Sequence, residues 1–377
     1  MNNVTYRYFR HQMLLLTDNL VFVDNEDGTL TYLSQTEGTL NVLDIPEEVD
    51  GKKVTRIDVP YYSERHSTVL KVIIPKTITY ISEGSFETFY RLVLVENHSS
   101  LEVVPKLDKY NRRDCANKKV IVITKPDTEG LLTFDGSAYY LKDKDSRTLL
   151  YYVGSEKEYT LPADVKEIGN YAFNENENLE SIVLHSDIEK IGAGAFEYLK
   201  NLKSITFPAK IEVIPDRCCK GCTHLSEVKF LGNVRSIGEG AFSNCGRLAQ
   251  IEIPRTVTTI KRGAFARCVD LKQIKLPVGL HTLGERAFFQ CLGLESIKLI
   301  GELTEINDYA FYECTALKKV TLGRKIKSIG CKAFSGCEEL REVVNLSKGL
   351  KIVRGSTENG MVAHYADRVV DKSNTAD

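Results

Sequence analysis

The chain has 377 residues, a length that allows either two or more ordinary domains or one elongated repeat array. Fifty basic and fifty-one acidic side chains give a formal net charge of −1 at pH 7, which excludes the strongly basic surface of nucleic-acid-binding and polybasic membrane-surface proteins. No apolar run approaches the roughly 20 residues that a transmembrane helix needs, so membrane insertion is not expected.

The apolar stretch MLLLTDNLVFV, residues 13–23, lies near the start of the chain, and we interpret it as β-strand. Asp18 interrupts this stretch and no small-residue cleavage site follows it, so it lacks the pattern of a signal peptide. Further on, up to about residue 95, strand-like segments are followed by proline and then by aromatic residues such as Phe86 and Phe89. We predict that residues 1–104 form an N-terminal cap hairpin followed by irregular repeats.

Residues 105–160 do not continue this pattern. They contain the tyrosine-rich stretch LTFDGSAYYLKDKDSRTLLYYV, in which strand-like segments lie on either side of turn residues. We interpret residues 105–160 as a strand-bearing hairpin insertion between two blocks of repeats.

Residues 161–345 repeat with a period of 23 residues and no insertion or deletion. We call the residues at one position of successive repeats a column. Within a repeat, apolar residues first alternate with polar ones, which is typical of a half-buried strand. They then lie one and four residues apart, as on one face of a helical turn. The aligned isoleucine column, from which the other columns are counted, is Ile168, Ile191, Ile214, Ile237, Ile260, Leu283, Ile306 and Ile329.

A single repeat would not fold alone, because the entropy lost in ordering it exceeds the stabilisation from the few apolar side chains that it can bury. Stacking covers both sides of each repeat and pairs its strand with the strands of its neighbours. We predict an α/β repeat solenoid: a right-handed curved array with a parallel β-sheet on the concave face and short helical turns on the convex face.

The column after the aligned isoleucine is rich in glycine but also contains Pro215. Because proline fixes φ near −65°, we predict negative φ throughout this column, at the first position of each helical turn. Acidic residues such as Asp216 and Asp308 in the next column agree, since a helix N-terminus favours a carboxylate.

Six of the ten cysteines occupy one column, which holds Leu199 in an earlier repeat. Side chains that project in parallel from successive repeats do not converge on a metal ion, and their parallel Cβ vectors disfavour disulfides. We predict free thiols that pack as small buried side chains, with Cys331 and Cys115 more exposed. The column is Cys222, Cys245, Cys268, Cys291, Cys314 and Cys337.

Residues 346–377 are predicted to form a C-terminal cap helix and a tail. Met361, Val362, Tyr365 and Val369 fall on one helical face that could cover the last repeat. The final residues, DKSNTAD, are expected to be disordered.

Outward side chains of the repeat strands form the first candidate binding surface, on the concave face. The set is polar with a mild excess of lysine and contains no aromatic residue, so stacking on a sugar is not expected; a merely solvated sheet is the alternative. The candidate residues are Glu227, Lys229, Gln250, Glu252, Gln273, Lys275, Lys298 and Lys319.

A second candidate surface lies on the convex face. Phe289 and Tyr312 occupy consecutive members of the column that follows the buried phenylalanine. Two adjacent exposed aromatic rings would form a contact patch for a partner or a second copy, and packing against the C-terminal cap is the alternative.

Nothing in the sequence indicates catalysis. The seven histidines are scattered and never occupy equivalent columns of adjacent repeats, and no glycine-rich phosphate loop is present. We therefore expect no catalytic residue, no metal and no cofactor.

The repeat unit L-x-x-I-x-L-P-x-x-V-x-x-I-G-x-x-A-F-x-x-C, seen in LAQIEIPRTVTTIKRGAFARC and LKQIKLPVGLHTLGERAFFQC, resembles the type-5 leucine-rich repeats of BspA-type bacterial proteins. The resemblance is close from about residue 160 to about residue 345 and loose upstream, and FDGSAYYLKDKDSRTLLYYV is similar to the hairpin that interrupts such arrays. It implies a cell-surface or secreted protein with a role in adhesion to host proteins or other bacteria.

The sequence thus favours a non-catalytic protein-binding or adhesion scaffold with a protein or extracellular-matrix ligand. The alternative is a cytoplasmic structural or assembly scaffold, which the missing leader and the free thiols of a reducing compartment favour.

Overall fold

The structure is a computed structural model that describes residues 5–9, 12–17, 19–35, 40–60, 68–87, 89, 91–103 and 120–373. The chain divides into two compact units, Met1–Thr133 and Phe134–Asp377, each with its own hydrophobic core. Apart from one 3-10 turn, the regular structure in the described ranges consists of β-strands.

The first unit contains an antiparallel sheet and a parallel sheet. Its described strands are β1 (Thr5–Phe9), β2 (Gln12–Thr17), β3 (Leu20–Asp24), β4 (Thr29–Gln35), β5 (Val42–Asp44), β6 (Glu48–Val49), β7 (Lys52–Ile57), β8 (Lys71–Ile74), β9 (Tyr80–Ile81), β10 (Leu94–Asn97) and β11 (Ile121–Ile123). The predicted N-terminal strand is confirmed as the antiparallel pair β2 and β3. The parallel sheet has the order β11-β10-β8-β5.

The second unit starts with a hairpin and continues as a stack of coils, one for each repeat. The hairpin strands are β13 (Ala138–Asp143) and β14 (Ser146–Tyr152), which follow β12 (Leu132–Phe134). The first strands of the coils are β15 (Glu158–Thr160), β17 (Ser181–Val183), β19 (Ser204–Phe207), β21 (Glu227–Phe230), β23 (Gln250–Glu252), β25 (Gln273–Lys275), β27 (Ser296–Leu299), β29 (Lys319–Leu322) and β31 (Glu342–Asn345).

Each coil also has a second, shorter strand. These strands are β16 (Val165–Ile168), β18 (Lys190–Ile191), β20 (Val213–Ile214), β22 (Ser236–Ile237), β24 (Thr259–Ile260), β26 (Thr282–Leu283), β28 (Glu305–Ile306) and β30 (Ser328–Ile329). Most strands pair in parallel with the equivalent strand of the next coil, so that Gln250 pairs with Gln273 and Ile237 with Ile260. The sheets are interrupted between β21 and β23, between β25 and β27 and between β26 and β28, which lie side by side in different sheets. The predicted repeat solenoid with parallel strands is therefore confirmed.

The predicted tyrosine-rich hairpin is present and belongs to the second unit. β13 and β14 pair antiparallel, and β14 pairs in parallel with β16 of the first coil. Tyr140 and Leu149 are fully buried in the same core as Phe173, so the hairpin covers the open end of the array. Residues 105–119, including Cys115, lie outside the described residues.

The phenylalanine column forms a stack of parallel rings in the core. Rings in neighbouring coils, from Phe242 to Phe334, have centroids 5.1 to 5.5 Å apart. Cys219 interrupts the stack, and there the strand residues Phe207 and Phe230 fill the space and contact Phe242 edge-on. Aromatic contacts of this kind contribute beyond the buried area alone.

The predicted short helical turns on the convex face are wrong. The segment of each coil that follows the aligned isoleucine has two positions with left-handed φ, four residues apart, which no α-helix accommodates. The first of these columns is Tyr171, Gly194, Arg217, Gly240, Gly263, Arg286, Tyr309 and Lys332, and the second is Glu175, Tyr198, Gly221, Asn244, Arg267, Gln290, Glu313 and Gly336.

Backbone hydrogen bonds explain why turns replace the helix. In a helix the N–H groups would bond within the segment, but here alternate N–H groups donate to the next coil, as from Phe173 to the carbonyl of Ala195 at 2.8 Å. Phe265 donates in the same way to the carbonyl of Ala287 at 2.9 Å. The turn segment is therefore a second ladder between coils, opposite the strands.

The column after the aligned isoleucine has negative φ at its glycines, as predicted, but not because a helix begins there. These glycines allow close approach of the preceding coil: a Cβ on Gly238 would lie 2.5 Å from the backbone nitrogen of Asp216. The Asp216 carboxylate accepts a 2.7 Å hydrogen bond from the backbone N–H of Glu239. Asn170 and Asp308 accept equivalent bonds, so the predicted helix-end role of these acids is replaced by a bond between coils.

The cysteine column is buried and its thiols are free, as predicted. Each thiol also donates a hydrogen bond to a carbonyl of the preceding coil, such as Cys268 Sγ to the oxygen of Phe242 at 3.2 Å. Burial is the main reason why the pKa of Cys268 rises to about 12. Cys331 is exposed, in agreement with the sequence analysis.

The predicted C-terminal cap helix is wrong. Asn359–Met361 form a single 3-10 turn, and the carbonyl of Gly360 accepts a hydrogen bond from Phe334 in the last coil. Val362 is buried there, but Val369 lies in strand β32 (Arg368–Asp371), which pairs in parallel with β31. The last coil is therefore covered by a turn and an added strand. Residues 374–377 of the predicted tail lie outside the described residues.

We expect Gly238→Ala to destabilise the protein by several kcal/mol, because the new Cβ would meet backbone of the preceding coil at 2.5 Å. The matched control is Gly279→Ala, whose Cβ would have no neighbour closer than 4.0 Å. It should leave stability within about 1 kcal/mol of the wild type. Urea unfolding of both variants measures the difference, and equal stabilities would contradict the close-approach argument.

We expect the cost of Cys268→Ala to depend on pH. A raised thiol pKa contributes stability that is complete below the ordinary value of 9.0 and is lost as the pH rises toward the folded value of about 12. The destabilisation measured at pH 8 should therefore shrink by about 2 kcal/mol at pH ~10.5, at about 1.4 kcal/mol per unit. The control is Leu271→Ala, a neighbouring buried side chain that does not ionise; an identical pH trend for both variants would refute the thiol as the cause.

Candidate functional site

The outward side chains of the first strands form one continuous exposed surface. In each strand the middle residue points into the core, as Ile251 and Ile274 do, so the residues before and after it face solvent. Pairing between equivalent residues then places the outward side chains of neighbouring coils side by side. Gln250 and Gln273 are such neighbours, as are Glu252 and Lys275.

A groove of about 890 Å³ lies on this surface over strands β21, β23, β25 and β27, and we call it the sheet groove. Seven of the eight residues predicted for the strand face line it. The remaining one, Lys319, lies on β29, where it is paired with Ser296 of β27. The polar lining residues are Ser226, Glu227, Lys229, Gln250, Glu252, Gln273, Lys275, Ser296 and Lys298.

The charges in and beside the groove are unequally compensated. Lys229 forms an ion pair with Glu227 at 2.6 Å within its own strand. Lys319 pairs with Glu342 at 2.9 Å, and the hydrogen bond from Lys319 lowers the pKa of Glu342. In the part of the chain that the structure describes, Lys275 and Lys298 make no ion pair, although both are exposed. The groove therefore contains two lysines on β25 and β27 that form no ion pair, although Glu252 lies in register with Lys275 on β23.

An apolar edge of the groove was missed by the sequence analysis. Leu276, Val278 and Ile300 line it, and Val278 is 67% exposed. Ile300 occupies the column that contains Pro254 and Pro277 in the preceding coils, just past the strand end. That alignment could have indicated the exposure of Ile300. A position that holds proline after a strand lies outside the hydrogen-bonded ladder, and a large side chain at such a position stays accessible. Among the described residues, no aromatic side chain lines the groove.

The predicted convex patch is less exposed than expected. Phe289 and Tyr312 are both half-buried, and their rings stack on each other with centroids 5.2 Å apart and an interplanar angle of 7°. Tyr309 contacts Tyr312 at 5.6 Å, and the guanidinium of Arg286 lies 5.0 Å from the ring of Tyr309. The two rings thus extend the stacking between coils onto the turn side, which accounts for them without a partner.

A buried ionic cluster lies in the first unit on β8 and β10. Lys71 Nζ is 2.7 Å and His98 Nε2 is 2.8 Å from the two carboxylate oxygens of Glu96. Burial alone would raise the pKa of Glu96, but the bonds from Lys71, His98 and the backbone N–H of Asp127 outweigh it and lower this pKa. The cluster attaches the backbone at Asp127 to the sheet, which is a structural role.

Metal chemistry and membrane insertion were both expected to be absent. Over the described ranges, no three or more histidine, cysteine or acidic side chains are grouped so that they could hold a metal ion. No described helix has the length and apolar composition needed to cross a membrane.

Comparison with known proteins gives one family and several solved structures. A leucine-rich cell surface protein from Faecalibacterium prausnitzii is 20% identical, with 88% of this chain and 94% of that chain covered and a TM-score of 0.43. A leucine-rich repeat protein from Bacteroides ovatus is 23% identical, covers 87% and 94%, and has a TM-score of 0.38. The pneumococcal vaccine antigen PcpA is 16% identical, covers 95% and 98%, and has a TM-score of 0.41. No curated protein matches the chain.

The family assignment comes from the repeats themselves. The model of the BspA type leucine rich repeat region matches in six copies, over residues 146–269 and 235–357. The matched span contains the hairpin strand β14, all the regular coils and the complete sheet groove. Because residues 146–357 are more than half of the 377 residues, this chain belongs to the family of BspA-type leucine-rich-repeat proteins.

Proposed function

We propose that the protein is a non-catalytic scaffold that binds a protein or extracellular-matrix ligand in its sheet groove. One observation supports this proposal above the others: the groove combines charged, amide and apolar side chains on a rigid ladder, and two of its lysines lack an ionic partner. Val278 and Ile300 add apolar contact area beside those charges. Repeat arrays favour extended interfaces of this kind.

Rigidity makes the groove suitable for recognition. Each groove strand is held by a parallel ladder on one side: β23 and β25 pair with each other, β21 pairs with β19, and β27 pairs with β29. The core side chains beneath, such as Ile251, Ile274 and Ile297, are nearly inaccessible. Because the strands that carry these side chains are already ordered, little backbone entropy is lost when the groove binds a ligand. The catalytic alternative has less support, since the groove contains no histidine and no cysteine.

We also propose that the protein acts at the cell surface or after secretion. The support is the resemblance of its repeats to BspA-type proteins, which are mostly surface or secreted proteins. The competing proposal, a cytoplasmic scaffold, is favoured by the free thiols. That argument is weaker for the column cysteines, because they are buried and hydrogen-bonded and would stay unpaired in an oxidising compartment too. It depends mainly on the exposed Cys331.

We expect Gln250→Tyr/Gln273→Tyr to weaken ligand binding by at least about tenfold, because two large uncharged side chains would fill the groove without adding charge. The matched control is Phe289→Ala/Tyr312→Ala, which alters the turn side and should bind like the wild type. Biolayer interferometry against purified matrix glycoproteins and intact bacterial cells makes the measurement, with circular dichroism to verify folding. Loss of binding in the Phe289→Ala/Tyr312→Ala variant alone would place the binding site on the convex patch.

We expect protease added to intact cells of the source organism to remove the protein, or the protein to be found in the culture medium. A cytoplasmic marker in the same cells should stay intact as the control. Immunoblotting with an antibody against the repeat array makes the measurement. Protection of the protein until the cells are lysed would favour the cytoplasmic scaffold instead.

A further inference from the structure

We propose that the sheet groove binds an acidic peptide segment, with Lys275 and Lys298 holding its carboxylates and the apolar edge receiving an aliphatic side chain. This inference rests on the proposed function and adds the chemical class of the ligand. Its basis is the two lysines without an ion pair in the groove and the kind of surface that surrounds them.

Lys275 and Lys298 occupy equivalent positions on β25 and β27, which are neighbouring strands. The two strands lie next to each other although they belong to different sheets, and the long lysine side chains on them can converge on one carboxylate. Like charges side by side on a sheet are destabilising, and an anion between them removes the repulsion. A bound carboxylate would therefore gain two charge-assisted hydrogen bonds and relieve an unfavourable contact at once.

Other lysines of the array form ion pairs of the kind that Lys275 and Lys298 lack. Several lysines that lie one coil away from a glutamate form an ion pair with it, as Lys200 and Glu177 do at 2.7 Å. Lys325 pairs with Glu302 in the same way. At the centre of the groove the column partner of Lys298 is another lysine, and in the part of the chain that the structure describes Glu252, which lies in register with Lys275 on β23, forms no ion pair with it.

The remaining lining favours a peptide over other anions. The side-chain amides of Gln250 and Gln273 lie in register on adjacent strands and offer both donors and acceptors, which suits a peptide backbone. Val278 and Ile300 at the edge offer apolar contact to an aliphatic side chain. A volume of about 890 Å³ is within the usual range of about 300–1,000 Å³ for ligand clefts, so the groove accommodates a short segment rather than a folded domain.

A sulfated glycan or another dense polyanion fits this surface less well. Glu227 and Glu252 line the same groove and would repel a ligand with a negative charge on every unit. No aromatic ring among the groove residues is available to stack on a sugar. Two free lysines match a ligand with one or two carboxylates and apolar residues between them.

The test uses a fluorescein-labelled peptide of repeated Glu-Ser-Leu triplets and its Gln-Ser-Leu counterpart, with binding to the full chain followed by fluorescence anisotropy. We expect the glutamate peptide to bind at least about tenfold more tightly than the glutamine peptide, and the difference to shrink as salt rises from about 50 to about 300 mM. Lys275→Gln/Lys298→Gln should remove this preference. The matched control Lys348→Gln/Lys351→Gln removes two exposed, unpaired lysines outside the groove and should behave like the wild type.

Three results would overturn the inference: no preference of the wild type for the glutamate peptide, a preference that survives Lys275→Gln/Lys298→Gln, or tighter groove-dependent binding of a heparin dodecasaccharide. The groove-filling Gln250→Tyr/Gln273→Tyr variant, which adds no charge, separates this failure from that of the proposed function. If that variant loses matrix binding while the lysine variant keeps it, the groove is a binding site of another chemistry. If the groove-filling variant keeps matrix binding, the proposed function itself is wrong.

Discussion

The structure of the second unit depends on one constraint: every residue of a coil must lie against its equivalent 23 positions away. Two sets of backbone bonds enforce this register, one between the parallel strands and one between the turn segments on the other side. Because the turn-side N–H groups donate to the next coil, a coil without its neighbour would leave them unsatisfied. The side-chain columns follow from this register, including the phenyl stack and the thiols that bond to carbonyls of the preceding coil.

The same constraint produces the candidate site. A register without slippage places identical positions of neighbouring strands side by side, so the charge of the groove is set column by column. Lysine follows lysine at Lys275 and Lys298, which places like charges side by side, whereas Glu177 and Lys200 in another column form an ion pair. The surface of such an array is therefore specific because its columns differ, although its backbone hardly changes from one coil to the next.

Most of the fold could be predicted from the sequence, and the errors have physical causes. Alternation around Ile251 and Ile274 is unambiguous for a strand, and the column Cys245 to Cys337 predicts parallel, buried thiols. The turn segment was misinterpreted because apolar residues spaced by one and four fit either a helical turn or two consecutive turns. The deciding signal is glycine or asparagine at the left-handed positions, as at Gly240 and Asn244. It was obscured because the column of Gly240 also contains Tyr171 and Arg286. Of the groove, the polar residues were predictable, but the exposure of Val278 and Ile300 depends on where the strand ends.

The column after the aligned isoleucine also limits how such an array can grow or shrink in evolution. Asn170, Asp216 and Asp308 each bond to backbone in the following coil, beside Gly192, Gly238 and Gly330 respectively. From Gly192 to Gly330 glycine alternates with larger residues in this column, and Lys261 is the member that follows Gly238. Loss of the single coil that contains Gly238 would bring the Cβ of Lys261 against Asp216, where only hydrogen fits. In this stretch, insertion or deletion of repeats would preserve the packing between coils only if it added or removed two repeats at a time.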